Sequence, residues 1–277
     1  MKAVLLRDVT PAKQVHLEEV EIPPVRNGWV LVKVKAFGMN HSEQILRLSE
    51  IKADYIQKPI IPGIECVGEI ADASDSDFKI GQKVVALMAG MGRNFNGSYA
   101  EYALLPTSNV FVINSELPWN QLGAIPETYF TAWGSLFDSL RLSVKDTLLI
   151  RGATSSLGYA ALQLAKALGC KVIATTHKKE KLPLLAAADE AIVDTGVLGG
   201  IYALNGFDPI KEIPNGVYLT GFFSNYPTQA AITAIFDFIK LHQLKPAMGK
   251  SFTFADIQEA CQALDEGQVQ GKIVVTI

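Results

Sequence analysis

One stretch limits the fold more than any other: "DTLLIRGATSSLGYAALQLAKALGCKVIATT", residues 146–176. A short apolar run enters a glycine turn. Leu157, Ala160, Ala161, Leu164, Ala165 and Leu168 then recur at helical period, Gly169 ends that helix, and "KVIATT" follows as a second apolar run. A strand, a helix and a strand in so short a span predict two parallel strands joined by a helical crossover. "KKEKLPLLAAA" predicts a second helix and "AIVD" a third strand, which completes the first mononucleotide half of a doubly wound sheet.

The turn itself, "RGATSSLG", carries the first functional reading. Gly152 lets the chain leave the strand tightly, and Gly158 lets the helix pack close to the sheet. Between them Thr154, Ser155, Ser156 and Leu157 open a helix N-terminus, where backbone N–H groups and the helix dipole favour a pyrophosphate. The middle glycine of the G-x-G-x-x-G pattern is absent, so a serine-capped helix with no ligand is the competing reading. At the end of the second strand an acidic residue would select NAD through the ribose 2′-OH. Here the chain reads Thr176, His177, Lys178, Lys179, Glu180, Lys181. Thr176, His177, Lys178 and Lys181 suit the 2′-phosphate of NADP(H); a solvated, lysine-rich helix start is the alternative.

The first 120 residues read as β. "WVLVKVKAFGMN" alternates Val30, Val32 and Val34 with Lys33 and Lys35, the period of a half-buried strand. "PGIECVGEIAD", "GQKVVALM" and "GSYAEYALLPTSNVFVI" are further strand candidates between Gly, Pro and Asn clusters. "AIPETYFTAWGSLFDSLRLS" predicts a helix, with Pro126 in its first turn and Ala132, Leu136, Phe137 and Leu140 at helical spacing. At 277 residues, 49% hydrophobic and 19% charged, the chain can bury two cores. A formal charge of −3 without a basic block argues against nucleic acid or an anionic membrane as partner. No apolar run reaches the roughly 18 residues that span a bilayer, and "MKAVLLRDVT" is too short in its apolar part for a signal peptide. Three scattered cysteines, Cys66, Cys170 and Cys261, fit a reducing compartment, taken as the cytoplasm.

One segment breaks the pattern. After "AIVD" the chain runs through "TGVLGGIYALNGFDPIKEIPNG" to "GVYLTGFF", with Gly196, Gly199, Gly200, Gly206, Pro209 and Pro214 and no helical stripe. A βαβ unit takes roughly 30 residues or more. The 195–215 segment is therefore expected to run over the surface without a helix, and "GVYLTGFF" to form a strand that pairs across a two-fold axis or moves beside the first strand.

Together, "VKAFGMNHSE", "PGIECVGEI", "GQKVVAL", "GSYAEYALLP", "PETYFTAWGSL", "DTLLIRGATSSLG" and "GKIVVTI" resemble the medium-chain dehydrogenase/reductase superfamily, in its zinc-free quinone oxidoreductase branch. The resemblance implies an α/β plus β chain. A GroES-like β-barrel domain would take residues 1–122 and 246–277. A Rossmann-like doubly wound parallel sheet would take 123–245 and, set against the family, would lack its fourth and fifth strands after residue 196. It implies NADPH-dependent reduction of a quinone or an enone and a homodimer. Where related alcohol dehydrogenases hold catalytic zinc with a cysteine and a histidine, this chain has Asn40 and Ile64, so no metal is expected. The resemblance makes Asn40 the group that donates to a substrate carbonyl oxygen, and Thr131, with its neighbour Thr128, the contact to the nicotinamide. Turn and helix-capping roles are the alternatives for all three. A catalytically impaired dimeric remnant, binding nucleotide weakly or serving as an interaction module, stays open beside the reductase.

Overall fold

The computed structural model describes residues 1–176, 178–193, 206, 208–213, 219–246, 248–267 and 269–277. Its strands are β1 (Lys2–Ala3), β2 (Glu18–Glu19), β3 (Trp29–Met39), β4 (Glu65–Asp72), β5 (Lys83–Leu87), β6 (Tyr102–Pro106), β7 (Val110–Val112), β8 (Thr147–Ile150), β9 (Lys171–Thr176), β10 (Glu190–Val193), β11 (Met248–Thr253) and β12 (Lys272–Thr276). Its α-helices are α1 (His41–Leu48), α2 (Trp119–Leu122), α3 (Pro126–Trp133), α4 (Ser156–Leu168), α5 (Pro209–Glu212), α6 (Gln229–Leu241) and α7 (Ile257–Glu266). The chain divides into two compact units, residues 1–130 with 224–277 and residues 131–223.

The first unit is the β unit the sequence predicts. Seven strands run in the order β11-β12-β3-β4-β5-β7, with β6 also paired to β3. Among the described residues this ladder is an open path, not a ring closed by hydrogen bonds. The long β3 organises it: Val30, Val32 and Val34 are buried while Lys33 is exposed, and Lys35 reaches Glu69 of β4 at 3.1 Å. Phe37 stacks on Tyr99 with centroids 4.4 Å apart. The Tyr99 hydroxyl is buried and has no hydrogen-bond partner among the described residues.

This unit takes in residues 123–130 and 224–245, beyond the boundaries expected from the resemblance. The Glu127 N–H donates to Glu65 at 2.8 Å. Gln229, at the start of α6, meets β7 with both ends of its amide: Val112 N–H donates to Oε1 and Nε2 donates to the Val112 carbonyl, each at 2.9 Å.

The second unit holds a three-stranded parallel sheet in the order β10-β9-β8. These are the three predicted strands, and among the described residues this sheet has no others. Ser155 caps α4 by accepting the Gly158 N–H at 3.1 Å, and Gly169 ends the helix with φ of +97°. Ala160, Leu162, Leu164 and Ala165 are buried, whereas Leu157, counted into the apolar stripe by its spacing, is 43% exposed in the first turn.

Four expectations need correction. The second helix of this unit is a 3₁₀ helix, Lys179–Leu185, because Pro183 removes a donor and clashes with the preceding turn of an α-helix. The expected continuous helix from Pro126 changes to π-type winding over Gly134–Ser139, and Leu140 ends 52% exposed. There the Phe222 ring lies where a Cβ on Gly134 would be, and the Ser135 hydroxyl donates to the Thr131 carbonyl at 2.7 Å. Residues 219–223 form no strand; they lie against this winding, where Ser139 Oγ donates to the Gly221 carbonyl at 3.4 Å. Residues 216–218 of that expected strand lie outside the described residues. The loop expected over 195–215 contains one helical turn, α5: Asp208 precedes it, accepting the Lys211 and Glu212 N–H groups, and Pro209 suits a first turn. The rest of that segment, apart from 206, 208 and 213, lies outside the described residues.

Candidate functional site

In the first unit the site grows from a glycine. Gly38 sits in β3, paired with Val274 of β12, and a Cβ there would fall 2.6 Å from Glu65 Oε1, 2.8 Å from the Gly123 carbonyl and closer still to Lys272 Cε. The missing side chain leaves room for Lys272, from the start of β12, to reach Glu65, from the start of β4, past β3. Their ion pair is 2.7 Å long, with side chains 3% and 0% exposed. Asn40, which follows the strand and caps α1, completes the group. Its Nδ2 donates to Glu65 Oε1 at 2.8 Å, and its Oδ1 accepts from the Lys272 ammonium. An ammonium only donates and a carboxylate only accepts, so the amide can be seated one way round.

Glu43, in the first turn of α1, closes the cluster from below. Its Oε2 accepts the Asn40 N–H at 2.8 Å and its Oε1 the Ile64 N–H at 3.1 Å. Burial pushes the Glu43 carboxyl up to about 7, against the opposing pull of the Ile64 N–H and the Lys272 charge. Burial disfavours the Lys272 ammonium, yet the Glu65 carboxylate beside it leaves the lysine above its ordinary value. Ile64 presents a buried apolar side chain, and among the described residues no group of three or more His, Cys, Asp and Glu side chains is arranged to hold a metal ion. Thr128 is buried in the first unit and Thr131 belongs to the second.

Sequence reasoning named Asn40 and missed its three partners. The signal was a charge inside an apolar strand: Glu65 precedes "CVG" and Lys272 precedes "IVV". Glu and Lys are almost never fully buried unless paired.

In the second unit the turn brings together Gly152, Thr154, Ser155, Ser156, Leu157 and Gly158. Gly152 has φ of +66°, and a Cβ there would meet nothing within 4 Å, so the space above the turn is open. Gly158 is tight: a Cβ would fall 2.5 Å from the Gly152 carbonyl and 2.7 Å from the Ala153 Cα, so the helix start packs directly on the turn that leaves the strand. Thr154 Oγ1 lies 3.3 Å from the buried Thr176 hydroxyl at the end of β9, and Thr176 Oγ1 accepts the Lys178 N–H at 3.2 Å. Lys178 and Lys181 are half-buried with no ion-pair partner among the described residues. His177 lies outside the described residues. The turn and the two ammonium groups at one strand end are the groups that could hold a dinucleotide.

The chain matches the alcohol dehydrogenase GroES-like domain over residues 26–115 and the zinc-binding dehydrogenase domain over residues 162–275. It is 32% identical over 179 residues to human quinone oxidoreductase, an alignment that takes in 62% of this chain and 52% of the relative; the chain thus spans about half the length of the curated relatives it matches. Two solved structures superpose over the whole chain. The quinone oxidoreductase from Coxiella burnetii has a TM-score of 0.81 at 21% identity, over 100% of this chain and 99% of that chain. The yhdH oxidoreductase from Salmonella enterica, in complex with NADP, has a TM-score of 0.83 at 22% identity and is covered over 100% of both chains. The glycine-gated β unit, the parallel βαβ turn and these matches lead to one conclusion: the chain belongs to the medium-chain dehydrogenase/reductase superfamily.

Proposed function

We propose that this oxidoreductase is zinc-independent and reduces a quinone, or the activated carbon–carbon double bond of an enone, with NADPH. The observation that carries the reading is the fixed amide of Asn40. Where a metal-dependent relative would place a ligand, this chain holds a hydrogen-bond donor, backed by a buried ion pair and beside an apolar Ile64.

NADPH, when bound, supplies the hydride. Gly152, Thr154, Ser155, Ser156, Leu157 and Gly158 would hold its pyrophosphate; Thr176, His177, Lys178 and Lys181 would take the adenosine end, with the two lysines on the 2′-phosphate. Thr131, with Thr128 as a neighbour, is the proposed contact for the nicotinamide. Asn40 orients the substrate carbonyl and stabilises the negative charge that reduction builds on its oxygen. The three unbridged cysteines support a reducing compartment such as the cytoplasm, and the resemblance supports a homodimer.

One observation favours a second reading. A parallel sheet of three strands among the described residues is shorter than the six of the full doubly wound order, which supports a chain that binds nucleotide weakly and turns over slowly or not at all. NADPH oxidation with a simple quinone and with an enone, run beside an NADPH binding titration, separates the two. Binding with turnover supports the reductase, and binding without turnover supports the remnant.

A further inference from the structure

We infer that Lys272 and Glu65 are positioning residues which turn the Asn40 amide into a charge-backed electrophile, directed at an anionic oxygen in conjugation with the reduced bond. The inference rests on the proposed reductase reading for its substrate and on the geometry of the first unit for everything else.

A neutral amide is a modest donor. This one is polarised from behind: its Oδ1 takes a hydrogen bond from an ammonium that is 3% exposed, so little water competes for that charge. Drawing electron density toward Oδ1 makes both Nδ2 hydrogens more acidic, the cooperative strengthening expected of linked hydrogen bonds in a low-dielectric site. One of those hydrogens goes to Glu65 Oε1 at 2.8 Å, which fixes the amide plane. The other is directed at Glu43 Oε1 at 3.5 Å, a long and weak bond that a substrate oxygen would have to replace. Asn40 is half-buried, while Lys272, Glu65 and Glu43 are fully buried. A substrate that displaces the weak Glu43 contact would meet the amide and not the charge behind it.

This arrangement selects chemistry. A donor backed by a fixed positive charge gains most when the oxygen it faces becomes negative, as in the enolate of an enone or the phenolate of a quinone. It offers nothing to an isolated carbon–carbon double bond. No proton need leave Asn40: the amide donates a hydrogen bond, and the proton that completes the product comes from water.

Three variants test this: Lys272→Arg, Asn40→Ala, and Lys272→Met with Glu65→Gln, the last removing both charges so that no orphan is buried. With a para-quinone and an enone as substrates, Asn40→Ala is expected to lower kcat about 100-fold, the scale of losing one oxyanion donor. The uncharged double variant should lose about 10-fold in kcat, the difference between a charged and a neutral hydrogen bond, at nearly constant KM, and Lys272→Arg should keep most of the rate. Independently of turnover, the side-chain amide of Asn40 in ¹⁵N-labelled protein should give two well-separated proton signals in the parent, converging in the double variant. Binding of 4-nitrophenolate, an anionic-oxygen probe, should weaken about 10-fold in the double variant. An unchanged amide signal, or equal phenolate affinity in parent and double variant, overturns the inference. A parent that turns over neither substrate yet shows both the amide and the phenolate effects overturns the reductase reading and leaves this one standing.

Discussion

Lys272 and Glu65 pair at 2.7 Å with almost no exposure of either side chain. Such a pair contributes little net stability, because desolvating two ions offsets their attraction, but removing one partner strands the other. Lys272→Met alone is expected to destabilise the first unit by about 3–5 kcal/mol, and Glu65→Gln, which removes the charge and keeps an acceptor for the Glu127 N–H, to restore most of it. Thermal melts of the single and double variants check this; equal losses in both would show that the site tolerates a bare carboxylate.

Gly38 sets the space for that pair. Gly38→Ala puts a Cβ 2.6 Å from Glu65 Oε1 and against the Lys272 stem, with the Gly123 carbonyl on the third side at 2.8 Å. The expected loss is about 1–3 kcal/mol, the usual cost of overpacking, and the ion pair should be displaced with it. A crystal structure of the variant showing the pair unmoved would contradict the spatial argument.

Glu43 makes stability depend on pH. Its folded carboxyl titrates near 7 instead of its ordinary 4.5, because burial disfavours the charge. Below about 4.5 both folded and unfolded chains hold the proton. Between there and 7 only the folded chain does, so the contribution is lost as pH rises through 7, with a slope of up to about 1.4 kcal/mol per pH unit. Denaturation midpoints of the parent and of Glu43→Gln, followed from pH 4 to pH 8, should differ in this slope. Parallel curves would remove Glu43 as its source.

The Tyr99 hydroxyl is the opposite case, a buried group with nothing to bond to among the described residues. Tyr99→Phe keeps the stack on Phe37 and removes a desolvation cost of about 1 kcal/mol, so the melting temperature should rise by about 2–4 °C. A fall in melting temperature would mean that the hydroxyl is satisfied in solution.

On the proposed reading, Lys178 and Lys181 set the cofactor choice. A charge-assisted hydrogen bond contributes about 1.5–3 kcal/mol, so either alanine variant should weaken NADPH by about 10- to 100-fold while leaving NADH nearly unchanged. Titrations with both dinucleotides decide it, and equal losses would make these lysines a solvated helix start.

Periodicity made the regular elements legible: the valines of β3, the glycines at 152 and 158, and the three parallel strands stand where the sequence puts them. What it hid were interactions at long range. Glu65 and Lys272 are 207 positions apart, and only the pairing of β12 and β4 on either side of Gly38 brings them to Asn40. Phe222 looked like a strand residue because aromatics favour sheets, and its place against Gly134 depends on a tertiary contact that no local pattern contains. Pro183, in contrast, was visible, and its cost to an α-helix went unweighed.

The amide of Gln229 has a further effect on the outer border of the seven-stranded sheet. A free strand border is a template on which another chain can pair and grow. At β7 the outward N–H of Val110 is spent on the Thr107 carbonyl, and both backbone groups of Val112 are taken by Gln229. The side chain thus occupies the position of a first intruding residue, so the border ends in a plug from its own chain, and concentrated solutions should be protected there against association strand by strand.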